Sequence, residues 1–495
     1  MASIMNSLKN NNHVPRILLI HPSIEGSLRF SNDAILDVTD YGNFVPLGLL
    51  YLSAVVKQQI PNAQISLLDC IAERLSQETI AKRIREFNPT VIGITSYTDL
   101  LVSVCSIAKI AKEINSDIHV CVGGVHVFYY PYNTIIQKHI DSIVLGEGEY
   151  VFPEIITHIQ KGLPLETIEH VYTKLKLPEK SLRGDAHGAH QGYIENIDTI
   201  PFPDRSLIKN PDLYFNTVGL AKRNITVLTS RGCPFPCAFC DVPYKSYRIR
   251  SIDNIIAEIK DTLSLGTREY FFYDDLFNIS ERRVIEFSTA LLDEHINISW
   301  SFRGRVDRIT AELLRLAKKA GCFQIHLGVE TGDVHGLHEI RKKITIEQIK
   351  KAFTLAHNAK IRTVADFMIG LPHERSFFDI RRNIEFLISL NPDFAQINLF
   401  TPLPYTAYFD QGVTKGFCSY DAWKAFTKDP SEGFTPSYWT EHMTKEELEQ
   451  SNRWAMRRFY LRISYVFKRI LGLRSLPELK RNLKGVLTLI RGIYV

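Results

Sequence analysis

Beginning at Arg16, short apolar and β-branched runs recur along the chain, separated by longer stretches whose apolar positions follow helical spacing. The first set of runs is Ile17 to Ile20, Ile65 to Leu68, Val91 to Thr95, His119 to Val122 and Ser142 to Leu145. Helix-like stretches lie between them near Leu47 to Gln58, Gln77 to Phe87 and Asp99 to Glu113. This βαβ rhythm predicts an α/β domain, a doubly wound Rossmann-like parallel sheet over 15–162, with its ligand at the carboxyl ends of the strands. Those ends carry Asp69, Thr95 and Ser96, Gly123-Gly124-Val125-His126, and Gly146-Glu147-Gly148-Glu149. Paired glycines after a strand let a bulky ligand approach the backbone, or simply make a tight turn.

Periodicity then fails over 163–222, where prolines at 164, 178, 201, 203 and 211 predict a linker or lid. A second set of runs follows at Ile225 to Leu228, Tyr270 to Tyr273, Ile298 to Phe302, Gln324 to Leu327, Thr363 to Ile369 and Ala395 to Leu399. Ser251 is placed to cap a helix that Gly266 ends, and Thr345 with Gln348 to form a capping box. Six βα units over 223–420 predict a partial (β/α)6 barrel, with its chemistry at the carboxyl ends of the strands. Residues 421–495 read as a basic helical C-terminal region.

At 495 residues, 45% hydrophobic and 23% charged, the chain has the composition of a globular protein of about three domains. No apolar stretch is long enough to span a bilayer and Met1 to Arg16 is polar, so a cytoplasmic protein is expected. The net charge of +5 is uneven: residues 451–495 hold eleven Lys or Arg against Glu478 alone, leaving the preceding part net acidic. That distribution argues against nucleic acid, which needs cations along the body of the chain. The tail either seats peripherally on anionic lipid at the inner membrane face, or covers the barrel, or is a solvated basic face.

The densest chemistry lies in Thr229-Ser-Arg-Gly-Cys-Pro-Phe-Pro-Cys-Ala-Phe-Cys-Asp-Val-Pro243, directly after the first strand of the second set. Cys233, Cys237 and Cys240 form a C-x3-C-x2-C array, and three thiolates on one short loop converge on a metal or iron–sulfur centre. A structural zinc site would close itself with a fourth ligand, but the next cysteine is Cys322. This spacing, with Phe239 before the last cysteine, resembles the signature of the radical S-adenosylmethionine (SAM) enzymes. The resemblance implies a 4Fe–4S cluster on the three cysteines, with SAM on the open iron. Asp274, Arg303 and Glu330 at later strand ends are then expected to meet the ammonium, hydroxyls or carboxylate of SAM, and Phe239 to pack near its adenine. The alternative is that these charges only rim the barrel mouth.

The N-terminal part is similar to the cobalamin-binding domain that precedes many radical SAM cores, in Pro46-Leu-Gly-Leu-Leu-Tyr-Leu52, Asp69, Gly123-Gly124-x-His126 and Gly146-Glu-Gly-Glu149. Thr95, Ser96, Gly123, Gly124 and Glu147 are the implied cobalamin contacts. The D-x-H-x-x-G loop that supplies a cobalt ligand in many cobalamin proteins is replaced by His21-Pro-Ser-Ile-Glu-Gly26. Pro201-Phe-Pro-Asp-Arg205 also recurs before such cores. In Thr401-Pro-Leu-Pro-Tyr-Thr406, Tyr405 takes the glycine position of a Pro-x-Pro-Gly-Thr turn; Tyr405, Tyr408 and Phe409 line an apolar pocket or pack in the core.

The resemblance implies an enzyme that generates a 5′-deoxyadenosyl radical and modifies an unactivated carbon of a small-molecule or lipid substrate by C-methylation, with an electron donor such as flavodoxin or ferredoxin. An anaerobic oxidative cyclase, or another radical transformation of a lipid or tetrapyrrole, would use the same parts. A methylthiotransferase acting on RNA would need a cluster in the N-terminal domain, where Cys70, Cys105 and Cys121 stand isolated. A non-catalytic zinc- or cobalamin-binding sensor would show a closed metal site and no SAM turnover.

Overall fold

Whole elements alternate, strand then helix, through most of the chain. The computed structural model describes residues 14–28, 42–178 and 192–471, which fall into two units. In the first unit lie β1 (Arg16–His21), α1 (Leu47–Gln59), β2 (Gln64–Asp69), α2 (Gln77–Phe87), β3 (Val91–Thr95), α3 (Leu101–Ile114), β4 (His119–Gly123), β5 (Ser142–Val144), α4 (Val151–Lys161) and β6 (Val171–Thr173). The sheet order is β2-β1-β3-β4-β5-β6. The first five strands are parallel and β6 is antiparallel to β5. Ile17 to Ile20 are all buried, as expected of a central strand with helices on both faces. Strand order reverses between β1 and β3, so the ends of β1, β2, β3 and β4 surround one switch point.

β6 falls within the stretch read as linker; three residues are too few to display a two-residue period. Residues 192–213 also pack on this unit. Asp204 accepts from Ser53 Oγ at 2.6 Å and pairs with Lys57 Nζ at 2.7 Å, and the Ile194 N–H donates to Glu147 at 2.8 Å. The polar patch 183–190 lies outside the described residues.

In the second unit lie β7 (Ile225–Val227), α5 (Ile252–Thr262), β8 (Glu269–Phe272), α6 (Glu281–Asp293), β9 (Ser299–Arg305), α7 (Ala311–Lys319), β10 (Cys322–Glu330), α8 (Ile346–Asn358), β11 (Arg362–Ile369), α9 (Phe377–Ser389), β12 (Phe394–Leu399) and α10 (Lys445–Tyr460). Its six main strands run parallel in sequence order, each pairing with the next. The expected caps are present: Ser251 accepts from the Asn254 N–H, and Thr345 and Gln348 form a capping box. Alternation separates the two faces of this sheet. Tyr270, Phe272, Trp300, Phe302, Ile325, Leu327, Ala365 and Phe367 bury themselves among helix residues such as Ile259, Phe287 and Phe353. The alternate positions carry Ser301, Arg303, Gln324, His326 and Asp366, so the face turned away from the helices is polar.

Beyond the barrel strands the chain is helical, with α10 followed by Ile463–Leu471. The last part of the basic tail, 472–495, lies outside the described residues. Among the described residues no helix is long and apolar enough to cross a membrane.

Candidate active site

The cysteine loop is tied down at several points before any ligand is considered. Asp274, just past β8, is fully enclosed and accepts from the Thr229 N–H at 2.6 Å, Ser230 Oγ at 2.8 Å and Thr229 Oγ1. Burial raises its pKa against the pull of these hydrogen bonds. Its work in this structure is to fix the chain entering the loop. At the neck, Gly232 has φ +83° and a Cβ there would lie 2.3 Å from the Ser246 carbonyl oxygen, so only glycine fits. Further along, the Ala238 N–H donates to Ile340 O at 2.9 Å and the Tyr408 N–H to Ala238 O at 3.3 Å. Arg305 lies 3.9 Å from the centroid of the Phe235 ring.

Cys233, Cys237 and Cys240 are all free and half-buried on this loop. Cys233 acts electrostatically on Cys237, and Cys237 on Cys240. Burial raises the Cys237 thiol and pushes the Cys240 thiol up to about 11. Among the described residues no three His, Cys, Asp or Glu side chains stand as a preassembled metal-binding group. The donor chemistry nevertheless fits an iron–sulfur cluster, being three soft thiols in one anchored loop.

Around the loop stand charges from later strands. Glu330 ends β10 with φ +67°, an uncommon conformation for a residue with a side chain, beside a register shift in the β10–β11 pairing. Its carboxylate accepts from Lys342 Nζ at 2.6 Å, both groups being buried. Lys342 Nζ is 5.9 Å from the Phe239 ring centroid and acts on Cys237, as do Glu330 and Arg305. Glu330 and Phe239 are thus brought together beside the cysteines.

Arg303, by contrast, sits on the polar sheet face with its guanidinium carbon 4.4 Å from the Tyr273 ring centroid. Its charge acts on His326 and Asp366. Burial pushes the Asp366 carboxyl up to about 6 despite Arg303, and burial with Arg303 pushes the His326 imidazole down to about 3. Lys342, His326 and Asp366 escaped the sequence reading. Gln324-x-His326 does show the two-residue alternation that marks one face of a strand, whereas nothing local marks Lys342.

The loop after β11 is closed by Glu374, which accepts from the Gly370 N–H at 2.6 Å, the Leu371 N–H at 3.1 Å and Asn383 Nδ2 at 2.6 Å. Tyr405 keeps the left-handed conformation, φ +70°, natural to the glycine it replaces. Tyr408 and Phe409 are core residues, Tyr408 packing against Phe400 and Trp439.

In the first unit, Gly124 has φ +103°, and a Cβ there would lie 2.8 Å from Ser96 O. Gly123 faces open space, with nothing within 4 Å of where its Cβ would be. Ser96 Oγ is buried and has no hydrogen-bond partner among the described residues. His126 Nδ1 is 3.0 Å from Thr98 Oγ1, its Nε2 is buried without a partner, and burial pushes the ring down to about 3. His21 Nδ1 lies 3.0 Å from Asp69 Oδ1. An orphaned hydroxyl and an open glycine at the switch point suit a bulky ligand carrying polar side groups. Glu147 is instead committed to residues 192–194, its own N–H donating to Gly192 O at 2.7 Å.

Comparison with known proteins follows the same division. The description "Radical SAM superfamily" matches residues 227–376, and "B12 binding domain" matches 34–156. The chain is 30% identical over 479 residues to the uncharacterized methyltransferase PH0819 of Pyrococcus horikoshii, covering 96% of this chain and 98% of that protein. The chain belongs to the radical SAM superfamily. It is a radical SAM enzyme with a B12-binding domain, and its cofactors are a 4Fe–4S cluster, SAM and cobalamin. It is also 28% identical to the anaerobic magnesium-protoporphyrin IX monomethyl ester cyclase of Rubrivivax gelatinosus, over 80% of this chain and 70% of that one. The fold is shared with the cobalamin-dependent SAM radical enzyme OxsB, at a TM-score of 0.67 and 17% identity, over 99% of this chain and 73% of that chain.

Proposed function

We propose that this radical SAM enzyme is a cobalamin-dependent C-methyltransferase acting on an unactivated carbon. The observation that carries the reading is the coexistence in one chain of an anchored three-cysteine loop and a glycine-opened switch point, in a sequence similar to a methyltransferase along nearly its whole length. When bound, cluster and SAM supply a 5′-deoxyadenosyl radical, and cobalamin supplies the methyl group. Cys233, Cys237 and Cys240 hold the cluster, and Asp274, Gly232 and Ala238 hold the loop that carries them. Phe239 and the Glu330–Lys342 pair flank the SAM site, where a carboxylate and an ammonium already face each other and can exchange partners with a zwitterionic ligand. Gly123, Gly124, Thr95 and Ser96 receive cobalamin.

The substrate is a small molecule, and the enzyme draws single electrons from a donor of the flavodoxin or ferredoxin class. Peripheral contact of the C-terminal region with anionic lipid is supported by Ile463 and Phe467, exposed one turn apart on a helix of the net basic tail. Co-sedimentation with phosphatidylglycerol but not phosphatidylcholine vesicles is the expected result.

The deciding experiment for the enzyme is anaerobic reconstitution. Expected are about four irons per chain, loss of iron in Cys233→Ala, 5′-deoxyadenosine formed with dithionite, and a corrinoid spectrum after purification with hydroxocobalamin. Bound zinc with no SAM cleavage would sink the enzymatic reading. A colourless, cobalt-free protein that still cleaves SAM would remove methyl transfer alone.

A further inference from the structure

The polar face of the second sheet holds more unpaired chemistry than the cluster and SAM use. Among the described residues four buried atoms on it have no hydrogen-bond partner: Arg303 Nε, Asp366 Oδ1, Gln324 Oε1 and His326 Nδ1. Gln324 is 0% exposed and His326 4%. Orphaned polar atoms are costly, so several on one face mark a place where a ligand completes the structure. Register places them together. Arg303 pairs with His326 across β9 and β10, Gly328 pairs with Asp366 across β10 and β11, and Gln324 and His326 are alternate residues of one strand.

These groups adjoin those beside the cysteines. Arg303 acts on Asp366, His326 and Asp275, and Asp366 is also acted on by Glu330 and Lys342. Two interstrand spacings and two residues of rise separate the Arg303 and Asp366 backbones by about 12 Å in a flat sheet. The Arg303 guanidinium carbon lies 4.4 Å from the Tyr273 ring centroid, and its charge reaches Asp366, so both groups serve the same face.

We infer that this face is a substrate-head subsite. It takes an anionic group, carboxylate or phosphate, with a hydrogen-bond donor such as ammonium or hydroxyl a few bonds away. Arg303 meets the anion, Asp366 meets the donor, and Gln324 and His326 form the polar floor. The inference rests on the methyltransferase reading and deepens it by naming the substrate class. It assigns Arg303 to the substrate in place of the SAM carboxylate, and it excludes a wholly apolar lipid, for which burying these charges would be unfavourable.

Binding to the reconstituted full-length enzyme, followed by saturation-transfer NMR and thermal shift, tests this with four probes: L-valine, O-phosphoethanolamine, isobutylamine and isobutyrate. Expected is binding of L-valine if the anion is carboxylate, or of O-phosphoethanolamine if it is phosphate. Isobutylamine and isobutyrate, each lacking one half of the pair, should bind about tenfold more weakly, as the loss of one charge-assisted hydrogen bond implies. R303Q and D366N should each weaken the bifunctional probe about tenfold while iron content and SAM affinity stay at wild-type values. Failure of both bifunctional probes to bind better than the single-function ones would overturn the inference. So would R303Q weakening SAM instead of the probe. Because 5′-deoxyadenosine formation is measured without these probes, their failure is distinguishable from failure of the enzymatic reading.

Discussion

The buried pair of Glu330 and Lys342 shows what a single contact beside the cysteine loop is worth. Each residue is 8% exposed and they meet at 2.6 Å, so each charge is tolerated only because of the other. Replacing Lys342 with Met strands the carboxylate and is expected to cost about 3 kcal/mol, read by denaturant unfolding of the cluster-free protein. A Glu330→Met, Lys342→Met double variant should recover much of that loss; a double variant less stable than Lys342→Met would show that the charge is not what matters. Gly123 and Gly124 make a second contrast. Gly124→Ala must adopt φ +103° against Ser96 O and should cost more than 2 kcal/mol or so. Gly123→Ala meets nothing and should leave stability within about 0.5 kcal/mol while weakening retention of the corrinoid. Cys233, Cys237 and Cys240 stood out as a group because they are neighbours in sequence on one loop. Lys342 did not, because only the fold brings it to Glu330.

Elements were legible wherever β-branched runs were long enough. All six main strands of the second unit and the five parallel strands of the first follow from them, whereas the three-residue β6 does not. What periodicity underused was the difference between the two faces of a strand, and Gln324, His326 and Asp366 lie on the face left unread. Connections between elements carry their own chemistry. Glu374 binds the loop after β11 to α9, and burial pushes its carboxyl up from 4.5 to about 7. An acid with a raised folded pKa holds its proton more tightly when folded, so its contribution is fully present below about pH 4.5 and is lost as pH rises through about 7. Melting temperature should therefore fall between pH 5.5 and 8 in wild type more steeply than in Glu374→Gln. Parallel curves for the two proteins would remove Glu374 as the cause.

At the scale of the molecule, chain order and unit membership diverge after the barrel. Residues 420–435 belong to the first unit although they follow the last strand of the second. The sequence gives no sign of this, since helix Tyr420–Lys428 has the amphipathic pattern of any covering helix. Its place is set by partners from far upstream. Asn133 Nδ2 donates to Thr427 Oγ1 at 2.7 Å, and Gln137 Nε2 donates to Thr427 O and Lys428 O at 3.1 and 3.0 Å. Phe426 is 4% exposed and stacks on Phe434 at 4.8 Å. Phe426→Ala should thus cost about 3 kcal/mol to the cobalamin-binding unit, not to the unit carrying the cluster that immediately precedes it in sequence. In the loaded enzyme, heated anaerobically, corrinoid release should move several degrees lower while bleaching of the iron–sulfur absorbance keeps its temperature. If bleaching moved and release did not, residues 420–435 would belong energetically to the barrel.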